Sequence, residues 1–323
     1  MPSQVNVAGA TSGNNIKLDN VILDVYSQEV RFAAQPILRF ASVAQKRTEL
    51  GLMPGNTIKF LKYNPLTGSN VLTESSTMET KALSTSVIQI AVGERGVATA
   101  VSEFLLRSSL TDVMGNASQL LGMHYAKSVD GELRDALLSG SNIKYAGSAA
   151  NRAGLTTSDV FNVDLIRDSV EFLATSKAPK FGGDAYIGFV HPHQARALRA
   201  DKAWVNVNLY GNPENIYRGE IGRIEDVRFI ETTMIPYIPV GTQNIWADGA
   251  DTGTVTALAA NANTDVYRAV IVGDYALGLA EALPVELRDN GVEDFGRKHS
   301  LAYYGIWGAG IIEAGHSVIC ETA

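Results

Sequence analysis

The chain has 323 residues, 46% hydrophobic and only 19% charged, with 34 acidic against 27 basic side chains and a formal charge of −7. That balance argues against a dedicated nucleic-acid reader, which carries a basic face, and the single cysteine, Cys320, excludes an internal disulfide. The longest uncharged apolar run, 301–312, falls well short of the ~20 residues a membrane helix needs.

A chain this apolar and this poor in charge is expected to hide surface against other copies of itself. Its opening residues lack the charged start and apolar core of a signal peptide, so a product of the reducing cytoplasm is expected. Residues 1–16 carry no charge and are rich in Gly, Ser, Asn and Ala, a composition that cannot fold alone. Residues 17–51 mix apolar positions with a modest basic cluster (Arg31, Arg39, Lys46, Arg47) set against Glu29 and Glu49. Residues 1–50 read as an arm lying on a neighbouring subunit, or as an ordinary pair of helices docked on their own domain.

Residues 57–63 (TIKFLKY) have strand composition, with Ile58, Phe60 and Lys62 on one side. A turn signal follows at 64–68, a polar stretch at 69–83, and a second strand at 84–92. Together they predict a long hairpin with a polar tip. An isolated hairpin is marginal in water, so this one needs a surface, on its own domain or on another chain.

The stretch 111–140 organises the rest. Apolar residues recur at Val113, Ala117, Leu120, Leu121, Tyr125, Val129, Leu133, Ala136 and Leu137, a 3.6-residue period. Thr111 with Asp112 caps the start, and Gly140 sits where a left-handed stop is expected. The pattern predicts one long spine helix, or two core helices broken at Gly122 or Gly131. After a loop at 141–157, the spacing predicts a helix at 164–176, a strand at 185–190, a short helix at 194–202, and strands at 225–232 and 266–272. Strands alternating with helices indicate an α/β domain over 155–280. A proline corner leads to 283–288, and 299–322 reads as two closing strands around a turn at Ala314-Gly315. These must pair with earlier sheet, so one domain is expected from 51–150 plus 281–323, with 155–280 inserted.

No nucleotide-binding glycine loop, HExxH, GxSxG or CxxC occurs. His191 and His193 have ligand-like spacing, but no pattern completes a metal set. Glu225 and Asp226, adjacent on a strand, would face opposite ways and could not act jointly as acid and base. Cys320 lacks a neighbour to activate it and reads as a small apolar residue on a strand. No catalytic, cofactor or metal residue is assigned.

The segments Leu38-Arg39-Phe40-Ala41, Gly55-Asn56-Thr57-Ile58-Lys59-Phe60, Tyr186 to Pro192, Gly222 to Thr232 and the aromatic-rich end Tyr303 to Trp307 resemble the major capsid family of podovirus-type tailed bacteriophages. The resemblance covers nearly the whole chain. It implies an α+β architecture, the Hong-Kong-type phage capsid fold. The parts are an N-terminal arm (1–50), an extended hairpin loop (51–95), a peripheral domain with the spine helix (96–154), an inserted α/β axial domain (155–280) and closing peripheral strands (281–323). It further implies hexamers and pentamers of an icosahedral shell around double-stranded DNA, assembled in the bacterial cytoplasm. Implied partners are a portal, a separate scaffolding protein, a decoration protein, and non-specific contact with packaged DNA, with no membrane and no cofactor. Inter-subunit contacts are expected at Arg31, Arg39, Phe60, Lys62, Tyr63, Glu74 and Glu79. Two rival readings are a nanocompartment shell of the same fold and an α/β enzyme built around His191, His193 and Asp201.

Overall fold

The computed structural model describes residues 39–48, 57–66, 68, 74, 78, 80–109, 112–201, 220–241 and 261–323. Helix α2, Val113–Leu138, runs unbroken for 26 residues, a length of ~39 Å. Asp112 opens it, its Oδ1 accepting from the Gly115 N–H at 3.0 Å. Gly122 and Gly131 lie within the helix without breaking it, so the spine is one helix. Its stop differs from expectation. Gly140 is not left-handed; Ser139 closes the helix by donating its N–H to the Asp135 carbonyl at 3.0 Å. Gly140 is instead short of room, since a Cβ there would sit 3.2 Å from the Leu137 carbonyl oxygen.

Two sheets lie along this helix. The first holds β1 (Ala44–Arg47), β10 (Leu277–Glu293), β11 (Lys298–Ile311) and β4 (Gly93–Ser102), in that order. Leu301, Tyr303 and Trp307 of β11 pack on Leu121 of α2. The second sheet has six strands: β5 (Ile143–Tyr145), β12 (Ser317–Thr322), β9 (Tyr267–Val272), β6 (Tyr186–Val190), β8 (Val227–Glu231) and β7 (Glu220–Ile224). Leu133 and Leu137 of α2 share a core with Phe189, Val270, Val272 and Ile319 of that sheet. Its other face is covered by α3 (Val163–Thr175), through Val163, Ile166 and Leu173, and by α4 (Pro192–Ala200), through Ala195 and Leu198. The sheet is mixed: β6–β8 and β12–β5 are parallel, the remaining pairs antiparallel. A short helix, α1 (Glu103–Ser108), links β4 to α2.

Strands β2 (Thr57–Tyr63) and β3 (Thr85–Ala91) form the expected hairpin, registered from Thr57↔Ala91 to Tyr63↔Thr85.

Three expectations are corrected. The closing strands at 299–322 do not pair with each other. β11 pairs with β10 and β4, whereas β12 crosses to the centre of the six-stranded sheet. All six residues of β12 are buried, as suits a central strand, but an apolar pattern does not name the partner. The strand at 225–232 begins with a turn: Glu225 (φ 47°) and Asp226 (φ 63°) are both left-handed and reverse the chain between β7 and β8, the geometry of a tight hairpin turn. The proline corner is no corner. Pro284 sits inside β10, within the register shift between Leu283 and Glu286, where a bulge spares the ladder its missing N–H.

Candidate functional site

Among the described residues, the β2–β3 hairpin is seated on its own subunit through one face. Ile58, Phe60 and Ile90 are buried against Ala280, with Ile312 beside them. The seat is cut by glycines on the sheet face opposite α2. A Cβ on Gly308 would fall 2.0 Å from the Ala91 carbonyl oxygen, and one on Gly278 would fall 2.9 Å from the Ile90 Cδ1. Lys62 of β2 forms an ion pair with Glu313, just past β11. The Arg47 guanidinium lies 6.0 Å from the centre of the Phe60 ring. Side chains alternate along a strand, so Leu61 and Tyr63, with Val87 opposite Leu61, share the face turned away from the seat. Leu61 is 57% and Tyr63 66% exposed.

A second anchor lies on the spine. Asp130 is buried, its Oδ1 accepting from the Ala41 N–H at 2.8 Å and its Oδ2 from the Arg39 N–H at 3.0 Å. The pair fixes the short turn Phe40–Ser42, and the Phe40 ring packs on Phe189 with centroids 4.5 Å apart. Burial pushes the Asp130 carboxyl above its ordinary range, against the opposing pull of these amide hydrogen bonds.

The expected contact residues divide. Tyr63 and Glu74 are exposed. Lys62 is engaged within its own chain. Phe60 is 6% exposed and belongs to the seat, so it fixes the hairpin and is not a surface residue. Arg39 is half-buried, held by its backbone to Asp130. Arg31 and Glu79 lie outside the described residues.

The histidine region is structural. His191 caps α4: its Nδ1 accepts from the His193 N–H at 3.2 Å, and its own N–H is answered by the Gln194 side chain. Pro192 fills the first helical position, where a missing N–H costs nothing. The His193 ring stacks on Tyr267 with centroids 4.1 Å apart, and Tyr237 stacks on Tyr267 at 5.3 Å. Burial, then the neighbouring His193, holds His191 below the ordinary histidine range. Asp201 accepts from the Val163 N–H at 3.2 Å, at the start of α3. Cys320 is buried, in contact with Ser169 Oγ at 3.2 Å, and burial pushes its thiol up to about 12. It is inert at neutral pH. The turn carboxylates Glu225 and Asp226 are held by Arg167 at 3.0 Å and Lys180 at 2.8 Å, so they serve an exposed ion network and not acid–base chemistry.

Three structural features, made by five residues, lie outside the sequence-based expectations. Asp130 carried a visible signal, a carboxylate on the apolar stripe between Val129 and Leu133. The Gly278 and Gly308 seat carried none, because glycine spacing in a strand does not say what approaches it. Arg152 and Glu321, a buried pair bridged at 2.7 Å from Nε to Oε2, lie 169 residues apart in sequence.

Residues 3–308 match the family described as phage capsid protein. The chain belongs to the phage capsid protein family. A curated relative, the major capsid protein of Staphylococcus phage phiMR11, is 25% identical over 172 residues, 53% of this chain and 62% of the relative. Among solved structures, the capsid asymmetric unit of cyanophage Pam1 superposes with TM-score 0.72 at 16% identity, covering 99% of each chain. The mature capsid of bacteriophage PhiM1 gives 0.70 at 16% identity, covering 100% of this chain and 97% of that one. The capsid of Ralstonia phage GP4 gives 0.68 at 17%, covering 97% and 99%. This phage capsid protein therefore has the Hong-Kong-type α+β fold and, as a member of a structural, non-enzymatic family, is a component of the virion capsid. A structural role accords with the way His191 is used as a cap, His193 in a stack, Cys320 as a buried core residue, and Glu225 and Asp226 in ion pairs.

Proposed function

We propose that this capsid protein closes an icosahedral shell of hexamers and pentamers around double-stranded DNA, each hairpin bridging to a neighbouring subunit. The observation that carries this is the hairpin itself: a glycine-cut seat and the Lys62–Glu313 pair fix its base, while Leu61 and Tyr63 face solvent. Large apolar side chains grouped on a fixed arm indicate a partner surface. Symmetry repeats the contact, so modest interfaces sum to a stable shell.

In this reading 1–50 is the arm, 51–95 the extended loop, 96–154 with 281–323 the peripheral domain, and 155–280 the axial domain meeting its copies around the five- and six-fold axes. β5 and β12 are better assigned to the axial sheet with which they pair. Tyr63 and Glu74 serve as inter-subunit contacts, with Arg31, Arg39, Lys62 and Glu79 at the same boundaries. A portal, a separate scaffolding protein and a decoration protein complete the particle. Negative-stain microscopy beside a sedimentation profile tests it. Closed shells, tubes or five- and six-fold rings are expected, and a monodisperse monomer unchanged by crowding agents would overturn it. Nucleic acid inside the particles separates a phage shell from a protein-filled nanocompartment.

A further inference from the structure

Near its far end the β10–β11 pair is interrupted by a bulge. The register passes from Asp289↔Leu301 to Val292↔His299, so Asn290 and Gly291 together face Ser300. Gly291 takes φ 74°, a backbone that glycine adopts without steric cost. Asn290-Gly291 is the one Asn-Gly pair in the sequence, and Asn290 is exposed. In such a pair the glycine nitrogen can close a five-membered ring on the asparagine side-chain carbon, because the following residue has no side chain to hinder the approach. That reaction requires a base for the nitrogen's proton and a proton for the amide that leaves.

Both ends of the reaction are attended. The Gly291 N–H, outside the ladder register, donates to Asp289 Oδ1 at 2.8 Å. The same oxygen lies 3.0 Å from His299 Nε2 on β11, which holds the carboxylate in place. The Asn290 side-chain amide donates through Nδ2 to Glu293 Oε1. One carboxylate therefore sits on the proton of the attacking nitrogen and another on the nitrogen that departs. Asp289 and Glu293 are both exposed, so neither is committed to a buried core.

We propose that Asn290-Gly291 is a self-modification site, at which Asn290 becomes a succinimide and then aspartate or isoaspartate with no added enzyme. The Gly291 nitrogen attacks Asn290 Cγ while Asp289 takes its proton. The N–Cγ bond forms, the Cγ–Nδ2 bond breaks, and the proton returns to the leaving nitrogen, which departs as ammonia from its contact with Glu293. Water then opens the ring at either carbonyl, so water is the only co-reactant. Holding nucleophile and base together replaces a chance encounter with a fixed geometry. The product bears a carboxylate where Nδ2 donated, so attraction to Glu293 turns into repulsion between like charges. The isoaspartate form also adds a methylene to the backbone within the bulge. Both changes loosen the tip that carries the exposed Val292 and Phe295, and they accumulate in one direction as the chain ages.

The test incubates the full, unassembled chain at neutral pH and maps its peptides by mass, scoring the amide-to-acid gain at Asn290 and the isoaspartate product. Conversion at Asn290 well ahead of Asn142, Asn151 and Asn162 is expected; conversion no faster than theirs would overturn the proposal. Asp289→Ala should slow it about tenfold or more, since a positioned general base contributes roughly 10²–10⁴-fold. A rate in Asp289→Ala equal to or above the native rate would overturn the proposal, because the carboxylate would then be shielding the Gly291 N–H. A second measurement repeats the native incubation in denaturant, which reads what the Asn-Gly pair does without the bulge. The folded chain should convert faster, and an equal or faster denatured rate would overturn the role given to Asp289 and Glu293.

Discussion

Gly308 and Ala91 touch so closely that the hairpin's seat has no room for a methyl group: a Cβ on Gly308 would lie 2.0 Å from the Ala91 carbonyl oxygen. The clash is with backbone, which cannot rotate aside as a side chain can. Gly308→Ala is therefore expected to lift β3 off the sheet and expose Ile58, Phe60 and Ile90. Overpacking of this kind costs about 1–3 kcal/mol. The core between α2 and β11 is on the opposite face and should survive. Limited proteolysis should show faster cleavage within 64–84 while far-ultraviolet circular dichroism stays unchanged. Sedimentation should show reduced assembly.

Asp130 ties the chain entering β1 to the spine. Asp130→Ala removes the acceptor for two part-buried backbone N–H groups beside Phe40, a loss of up to about 1–3 kcal/mol for each donor left unsatisfied. The pH dependence has a definite sign. Burial raises the folded-state pKa above the ordinary 3.8, so the folded chain takes up the proton before the unfolded chain does. The stabilisation from this group is complete below 3.8 and is lost as pH rises through the folded pKa. Relative to Asp130→Asn, the native chain should gain stability on acidification across that window, measured by denaturant unfolding of the unassembled subunit. A difference independent of pH would show that the carboxylate does not titrate abnormally.

What could be read in advance followed local periodicity. The 26-residue spine, the β2–β3 hairpin, α3, β6 and β9 are each announced by a helical or alternating pattern that their own residues carry. What could not be read was pairing at a distance. Residues 317–322 look the same whether they fold back on β11 or cross to β9, and only the burial of the whole strand decides for the crossing. The turn at Glu225-Asp226 was hidden because it takes two positive φ angles without the Gly or Asn that usually marks such a turn. Arg223 and Arg228 flank that turn, but Lys180 and Asp184, which complete its ion network at 2.7–2.9 Å, come from the segment before β6. The interaction surfaces were legible only as composition, a charge-poor chain with a hairpin too long to stand alone.

Arg152 and Glu321 form a buried pair, with Arg268 opposite Glu321 on the neighbouring strand and itself buried. Burial pulls Arg268 down to about 10, opposed by the Glu321 charge. Glu321→Gln would leave two guanidinium groups inside the sheet without a counter-charge. Breaking one partner of such a pair costs about 3–5 kcal/mol, so this variant should lower the denaturation midpoint of the subunit sharply. Replacing both partners, Arg152→Met with Glu321→Leu, removes one cation along with the anion and should recover part of the loss. A double variant as unstable as Glu321→Gln would show that Arg268 is the group that needs the carboxylate.

His191 gives the opposite pH sign to Asp130, which makes the two separable. Burial, reinforced by His193, holds the folded-state pKa below 6.5, so the unfolded chain binds the proton first. The stabilisation from neutral His191 is complete above 6.5 and drains as pH falls from there towards the folded pKa. Protonation also puts a hydrogen on Nδ1, the atom that accepts from the His193 N–H, so acid removes the cap of α4 as it charges a half-buried ring. His191→Asn keeps a capping acceptor and cannot titrate. Its stability should therefore be flatter than the native chain's between pH 6.5 and 5, whereas His191→Ala should lose about 0.5–2 kcal/mol at neutral pH from the missing cap. Unfolding curves of the three proteins at matched pH values check both, and a native chain with no slope below neutrality that His191→Asn lacks would refute the assignment.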